Sequence, residues 1–333
     1  MEDDTLRFLQ ACGLRVDRTN PRQYRATMLG LPTGRVEVVF QRATDIFDEV
    51  DEGTVDLGIT GFDIVAEHRA EDDDIVIVHG ELGYQNCALV LAVPEGWVDV
   101  ADVSDLAEVT ADLRGAGREL RVATKYVNLT RQFLYDRGMT HFVLVEVSGA
   151  LEAAPSLDTA DVISDLTSSG VTLRENRLKT IGGGTVVRSQ ACLIGNRVAL
   201  QASAHKLEAT RCLLELIEAH LRARQHVSLT ANIVGDSADA VAARVVAAGG
   251  QSLGLRGPTV ARVYPKDAHG EGGAAWWAVT VVVSEAVLLP SVEALRRAGA
   301  TDVSATQVRY VFEHRSWTFE ALKRHLGQAA AVS

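Results

Sequence analysis

The sequence predicts an α/β protein whose two similar lobes face each other across a cleft, followed by a separate β-rich domain. Three observations carry that expectation. Short apolar strands alternate with helices over the first two thirds of the chain, the pattern of helices packed on a buried sheet. A second alternation begins near Trp97, which doubles the unit. After Gln225 the order becomes strand, helix, two strands, helix, strand. A length of 333 residues suits two or three domains rather than one core.

Taken in order, the first helix is expected from Thr5 to Cys12, stopped by Gly13. Arg35 to Phe40 reads as a strand and Asp45 to Val50 as a helix. Val55 to Thr60 is a strand carried to a loop, and a helix follows from Asp63 to about Arg69. Ile75 to Val78 and Cys87 to Val93 are strands, the second a continuous apolar run suited to burial on both faces. Asp105 to Gly117 is a helix and loop, Leu120 to Thr124 a strand, Leu129 to Arg137 a helix and Phe142 to Val145 a strand. The chain then returns to the first lobe through Val186 to Leu193 and enters a helix from His205 to Arg224.

Beyond it lie strand His226 to Val234, helix Ala238 to Ala248, strands Thr259 to Tyr264 and Ala275 to Ser284, helix Leu289 to Ala298 and strand Asp302 to Phe312. That βαββαβ order is ferredoxin-like. The polar loop from Pro265 to Gly273 is expected as a hairpin connection and mobile tip. The end forms a short amphipathic helix on Phe319, Leu322 and Leu326, then a frayed tail. The expected boundaries are residues 1–93 with 187–224 for lobe I, 94–186 for lobe II, 225–315 for the ferredoxin-like domain and 316–333 for the C-terminal helix and tail.

Composition narrows the function. A net charge of −11 leaves no basic surplus for a phosphate backbone, so no nucleic-acid partner is expected. Anionic substrates must then be held by local basic residues, backbone amides and a metal ion. No apolar run approaches a membrane span, and the acidic start at Glu2, Asp3 and Asp4 is not a signal peptide. Cys12, Cys87, Cys192 and Cys212 stand apart among apolar neighbours, as buried thiols of a cytoplasmic protein do. The histidines lack zinc-site spacing.

The most informative segment runs from Asp161 to Leu173. Asp161 to Ser164 reads as a buried strand ending in the carboxylate of Asp165. Thr167, Ser168, Ser169 and Gly170 then turn the chain into Val171 and Thr172. Such a loop aims backbone N–H groups and hydroxyls at one point, as a phosphate cradle requires. An acid beside it suits ribose hydroxyls or the metal on a diphosphate. Alone the pattern is that of many ordinary turns.

The flanks make it specific. Glu146-Val-Ser-Gly-Ala-Leu-Glu152 lies upstream and Arg188-Ser-Gln-Ala-Cys-Leu-Ile-Gly-Asn196 downstream. Further upstream are Asp56-Leu-Gly-Ile-Thr60-Gly61-Phe-Asp63 and Arg121-Val-Ala-Thr-Lys125-Tyr126. In this order and spacing, from about residue 2 to about residue 313, they resemble the long form of the ATP phosphoribosyltransferase family, the opening enzymes of histidine biosynthesis. The family signature fits from Glu152 to Leu173, except that Asp158 stands where Gly is usual.

The resemblance implies a two-lobed, type II periplasmic-binding-protein-like catalytic region and a C-terminal histidine-sensing domain. It implies that ATP and phosphoribosyl diphosphate combine with Mg2+, and that the protein is a homo-oligomer, dimer to hexamer, with histidine as inhibitor. Asp165 would contact ribose hydroxyls or metal, with Glu152 and Lys125 completing the catalytic set. Ser168, Ser169, Gly170, Val171 and Thr172 would wrap the 5′-phosphate, and Asp161 would serve the same site. Thr60, Gly61 and Asp63 would meet nucleotide or diphosphate, against an N-cap role for Asp63, and Tyr126 would pack on a base. Arg42 and Asp45 match a family pattern and fit a lobe salt bridge as well as a substrate contact. Thr259 and Ala305 would line the histidine pocket, or be plain sheet residues.

The sequence departs from the family at four further places. Val127 replaces a usual Pro, and Ala88 a frequent basic residue. Leu229-Thr230-Ala-Asn232 lacks the carboxylate that often meets histidine. The family's opening strand and Lys-Gly-Arg-Leu-like turn precede the point where Met1 stands, which implies an upstream start or an impaired enzyme. The competing expectation is therefore a non-catalytic or regulatory paralog on the same two-lobed fold.

Overall fold

The computed structural model describes residues 1–20, 22–70, 74–147, 150–249, 255–264 and 275–327. The expected Pro265–Gly273 hairpin lies outside the described residues, as do Ser148 and Gly149 and the tail from residue 328. The chain forms two compact units, Met1–Cys212 with Trp317–Ser333, and Leu213–Ser316.

In the first unit, helix α1 (Glu2–Ala11) buries Phe8 and Leu9. It leads into an antiparallel meander of β1 (Arg15–Asp17), β2 (Arg25–Leu29) and β3 (Val36–Val39), of which the sequence suggested only the last strand. Then come α2 (Ala43–Asp51), β4 (Leu57–Gly61), α3 (Phe62–His68) and β5 (Ile75–His79). The returning strand β11 (Ala191–Asn196) inserts between β4 and β5, antiparallel to both. Phe47, Val50, Val65, Ile75, Cys192 and Ile194 form the core beneath this sheet. The end helix α11 (Trp317–His325) buries Phe319 and Leu322, as its apolar spacing predicts.

The second lobe is a five-stranded sheet in the order β10-β6-β9-β7-β8. Its elements are β6 (Cys87–Pro94), α4 (Val103–Gly115), β7 (Leu120–Thr124), α5 (Val127–Asp136), β8 (Phe142–Val145), a 3₁₀ turn (Leu151–Ala153), β9 (Val162–Thr167), α6 (Val171–Glu175) and β10 (Leu178–Ser189). β6 hydrogen-bonds to β9 and β10, so this lobe begins at Cys87 rather than at 94 and runs to Ser189 rather than to 186. A continuous apolar run cannot itself reveal which sheet recruits it; strand pairing decides.

Alternation gives this sheet two distinct faces. Leu91, Val93, Val122 and Val162 pack under Leu106 of α4 and Phe133 and Leu134 of α5. Val90, Ala92, Ala123 and Ile163 point the other way, against Leu151 and Leu173. By the same parity Ser164 belongs to the α5 face, where it accepts a 2.8 Å hydrogen bond from the Thr130 hydroxyl. Asp165 and Thr167 belong to the opposite face.

Helices α7 (Arg197–Ala202) and α8 (Ala204–Ala223) lead into the second unit. There β12 (His226–Val234), α9 (Ala238–Gly249), β13 (Thr259–Val263), β14 (Trp276–Ser284), α10 (Leu288–Arg297) and β15 (Ala300–Gln307) build an antiparallel sheet ordered β13-β14-β12-β15. This is the ferredoxin-like arrangement. Leu229, Ile233, Val241, Val245, Val281 and Leu295 fill its core. β15 stops at Gln307 instead of Phe312 because its partner runs out: Gln307 pairs with Val227, one residue from the start of β12. The chain then turns onto α8, where the Val311 amide donates to the Ala219 carbonyl at 3.0 Å.

Candidate active site

Asp165 lies within β9, two residues before its end, rather than closing the strand. The Leu166 amide donates to Asp165 Oδ1 at 2.8 Å. Burial pushes the Asp165 carboxyl above its ordinary range; the charge of Glu152 adds to this, while the Leu166 amide and Lys125 oppose it. Three predicted residues from three separate segments are thus brought within electrostatic reach of one another. Glu152 projects from the 3₁₀ turn and Lys125 follows β7.

The loop turns where expected. The Gly170 amide donates to Thr167 Oγ1 at 2.9 Å, and Gly170 takes φ +71°, the left-handed region that favours glycine. Ser168 and Ser169 are exposed, and Val171 and Thr172 open α6, also exposed. Arg174, which sequence reasoning missed, folds back so that its Nη1 donates to the Ser169 carbonyl at 3.4 Å. A basic residue four positions after the glycine was the available signal.

A second set of predicted residues is committed elsewhere. Asp63 is 6% exposed; its Oδ2 accepts from the Tyr126 hydroxyl and its Oδ1 from the Ser189 hydroxyl, each at 2.6 Å. Burial first, and then Asp63, raise the Tyr126 phenol far above its ordinary pKa. Thr60 is fully buried and donates to the Ala43 carbonyl at 2.8 Å. A Cβ on Gly61 would stand 2.4 Å from Asp63 Oδ1, so glycine there makes room for the carboxylate. Thr60, Gly61, Asp63 and Tyr126, expected to meet nucleotide, base or diphosphate, here take part in buried polar contacts that join segments of the protein. The physical reason is that a buried carboxylate left without donors is costly, and the nearest donors are these hydroxyls.

That joint extends to Glu67, which no sequence signal indicated. Its carboxylate, 5% exposed, accepts the amides of Asn128 and Leu129 at 2.8 and 3.0 Å, capping α5 from the other lobe. Val127 occupies the first position of α5, where proline is favoured because no amide is needed. Valine is tolerated there for the same reason. Cys87 is half-buried; burial and then Asp63 raise its thiol pKa, which keeps it protonated and weakly nucleophilic.

Asp161 is likewise not part of the cradle. It precedes β9 at the end opposite the loop, roughly 20 Å from Thr167 at strand spacing. Its carboxylate accepts Arg121 Nη2 at 2.9 Å and the Arg121 amide at 2.8 Å. Burial pushes its pKa up, but Arg121 and Arg118 outweigh this and hold it below the ordinary range. Arg121 also binds Asp158, whose φ of 55° explains how Asp serves where Gly is usual, since Asp tolerates this conformation better than most residues. Asp161→Asn is expected to cost about 1–3 kcal/mol of stability at neutral pH with catalysis retained. A lowered folded pKa gives stability that is present above the unfolded value and lost as pH falls through the folded one. The wild-type advantage in urea denaturation should therefore fade below the ordinary carboxylate range.

In the second unit, Thr259 and Ala305 do not meet. They sit on opposite edge strands, with β14 and β12 between them. Thr259 shares its face with Thr280, Thr230 and Ser304, whereas Ala305 pairs with the core residue Leu229 on the other face.

The chain is similar to known proteins. A family model described as ATP phosphoribosyltransferase matches residues 42–219, and one described as the HisG C-terminal domain matches residues 223–310. ATP phosphoribosyltransferase 1, chloroplastic, of Arabidopsis thaliana is 38% identical over 329 residues, which are 98% of this chain and 79% of that one. The ATP phosphoribosyltransferase of Brucella anthropi is 42% identical over 214 residues, 63% of this chain and 92% of that one. A solved ATP phosphoribosyl transferase (HisG:HisZ) complex from Thermotoga maritima aligns with TM-score 0.48 and 22% identity, covering 65% of this chain and 93% of that one. The family models and the curated relatives do not favour the non-catalytic alternative. With one family model spanning more than half of its length and a curated relative aligned over nearly all of it, the chain belongs to the ATP phosphoribosyltransferase family, pentosyltransferases of histidine biosynthesis.

Proposed function

We propose that the phosphoribosyl group is transferred on the sheet face that carries Asp165. One observation carries this reading: Glu152 and Lys125 lie within electrostatic reach of Asp165, which sits on the strand that runs into the left-handed Gly170 turn. Phosphoribosyl diphosphate would lie with its 5′-phosphate against the 168–172 loop, whose Gly170 amide is held by Thr167, and with its ribose against Asp165. N1 of the ATP adenine then attacks C1 as diphosphate leaves, through an oxocarbenium-like ribose. Positioning and electrostatics suffice, so no protein nucleophile is required. Asp165, half-buried and with a raised pKa, becomes a stronger hydrogen-bond acceptor for ribose hydroxyls once ionised.

Two carboxylates on this face, Asp165 and Glu152, offer the hard oxygen donors that Mg2+ prefers. Among the described residues no group of three or more His, Cys, Asp or Glu is placed to hold a metal. That donor set fits an ion carried mainly by the substrate diphosphate and steadied by one or two carboxylates. When bound, Mg2+ would neutralise charge on the leaving diphosphate. Purified protein should consume ATP and phosphoribosyl diphosphate with Mg2+ and stop on chelation. A folded preparation giving no phosphoribosyl-ATP absorbance change would overturn the assignment.

The ferredoxin-like unit is proposed as the histidine-responsive part of a homo-oligomer. Its open face presents Thr230, Thr280 and Ser304 but no carboxylate at Thr230 or Asn232. Losing one charge-assisted hydrogen bond weakens binding by about ten- to a hundredfold. Inhibition is therefore expected only at high histidine, and a titration showing inhibition at low micromolar histidine would contradict this account. None of the four cysteines forms a disulfide, which suits the reducing cytoplasm proposed as its compartment.

A further inference from the structure

The register of the five-stranded sheet aligns one uncommitted cation with the loop. Arg188 of β10 pairs with Ala88 of β6, and Ala88 in turn pairs with Thr167 of β9. Residues directly opposite in a sheet project to the same face, so Arg188, Ala88 and Thr167 form one row. That row lies on the face of Asp165, which is opposite Val90 one step away. Thr167 is also the residue whose hydroxyl holds the Gly170 amide. Two strand spacings put the backbone of Arg188 about 10 Å from that of Thr167.

Ala88 lies between them in the row, and its single methyl is the least bulk a side chain can place there. Arg188 is exposed, and its side chain makes no hydrogen bond or ion pair with any described residue. Arg174, the arginine of the loop region, is engaged by the Ser169 carbonyl. On the far side of Asp165 stands Lys125, so a lysine and an arginine bracket the carboxylate and the loop. A planar guanidinium with free donors, on the row that leads to a loop of exposed Ser168, Ser169 and Thr172, suits a phosphate better than a point charge does.

We infer that Arg188 is a substrate-binding residue which reaches across Ala88 to a phosphate of phosphoribosyl diphosphate seated on the 168–172 loop. This rests on the phosphate-loop reading above. It also accounts for Ala88, the place where the family often carries its own basic residue: the cation is supplied from the adjacent strand in the same row. A side chain at 88 and one at 188 are then interchangeable sources of one charge.

That interchangeability is the test. Calorimetry on the full chain with Mg2+ should show phosphoribosyl-diphosphate affinity falling about ten- to a hundredfold in Arg188→Gln, the loss of a charge-assisted contact. ATP affinity and melting temperature should be nearly unchanged. Adding Ala88→Arg to Arg188→Gln should restore most of the lost affinity, which a merely structural role for Arg188 would not produce. Ribose 5-phosphate and pyrophosphate, titrated separately, assign the contact to one end of the ligand: the probe that weakens carries it. Unchanged phosphoribosyl-diphosphate affinity in Arg188→Gln, or no recovery in the double variant, overturns the inference. Wild-type protein that fails to bind phosphoribosyl diphosphate refutes the parent reading and this one with it.

Discussion

Gly170→Val is expected to lower phosphoribosyl-diphosphate affinity by a hundredfold or more while leaving the sheet intact. Gly170 holds φ +71°, and a β-branched residue at that angle is strained by about 1–3 kcal/mol. The turn would relax away from it, and the amides of the cradle would lose their common aim. Two misdirected charge-assisted hydrogen bonds at about 1.5–3 kcal/mol each exceed a factor of a hundred. Crowding is the smaller effect. The nearest atom to an added Cβ is Arg174 Nη1 at 3.3 Å, the far end of a flexible side chain. Gly170→Ala should therefore fall between wild type and valine. Calorimetry decides, and full affinity in the valine variant would remove the phosphate cradle from this loop.

Asp165→Asn should show opposite effects on rate and stability. Turnover is expected to fall on the order of a hundredfold, since an amide accepts more weakly from ribose hydroxyls and coordinates Mg2+ poorly. Stability at neutral pH should rise. A carboxyl whose folded pKa is raised contributes stability that is complete below its unfolded pKa and is lost as pH rises through the folded value. At neutral pH the ionised Asp165 is thus a cost that asparagine removes. The melting-temperature gain should disappear in acid, once both states are protonated. A variant less stable than wild type at pH 7 would mean that Asp165 is compensated by a partner other than Lys125 and the Leu166 amide.

What the sequence disclosed divides along a physical line. Gly170 and the hydroxyls around it are a local matter: a left-handed turn and its donors are written in consecutive residues. The βαββαβ order was legible for the same reason, because periodicity within each segment types the element. The partners of Asp63 were not legible because they are Ser189, 126 residues away, and Tyr126, 63 residues away. Glu67 was missed because nothing near it in sequence hints at the amides it caps, 61 and 62 residues on. Strand ends were misjudged for a kindred reason. β15 stops where β12 starts, and residues 308–312 look no less strand-like for lacking a partner.

The cap that Glu67 places on α5 has a kinetic meaning. The first amides of a helix ordinarily lack partners and exchange with solvent at the rate of a frayed end. In this protein the amides of Asn128 and Leu129 are shielded by a carboxylate borne on the other lobe. Their protection lasts only while the lobes stay docked at that joint, so their deuterium uptake is a native clock for its opening. If the cleft admits its substrates by pivoting about the joint, these two amides stay slow throughout the catalytic cycle. If the lobes part there, the same two amides turn fast together, and the protein reports its own motion without a probe.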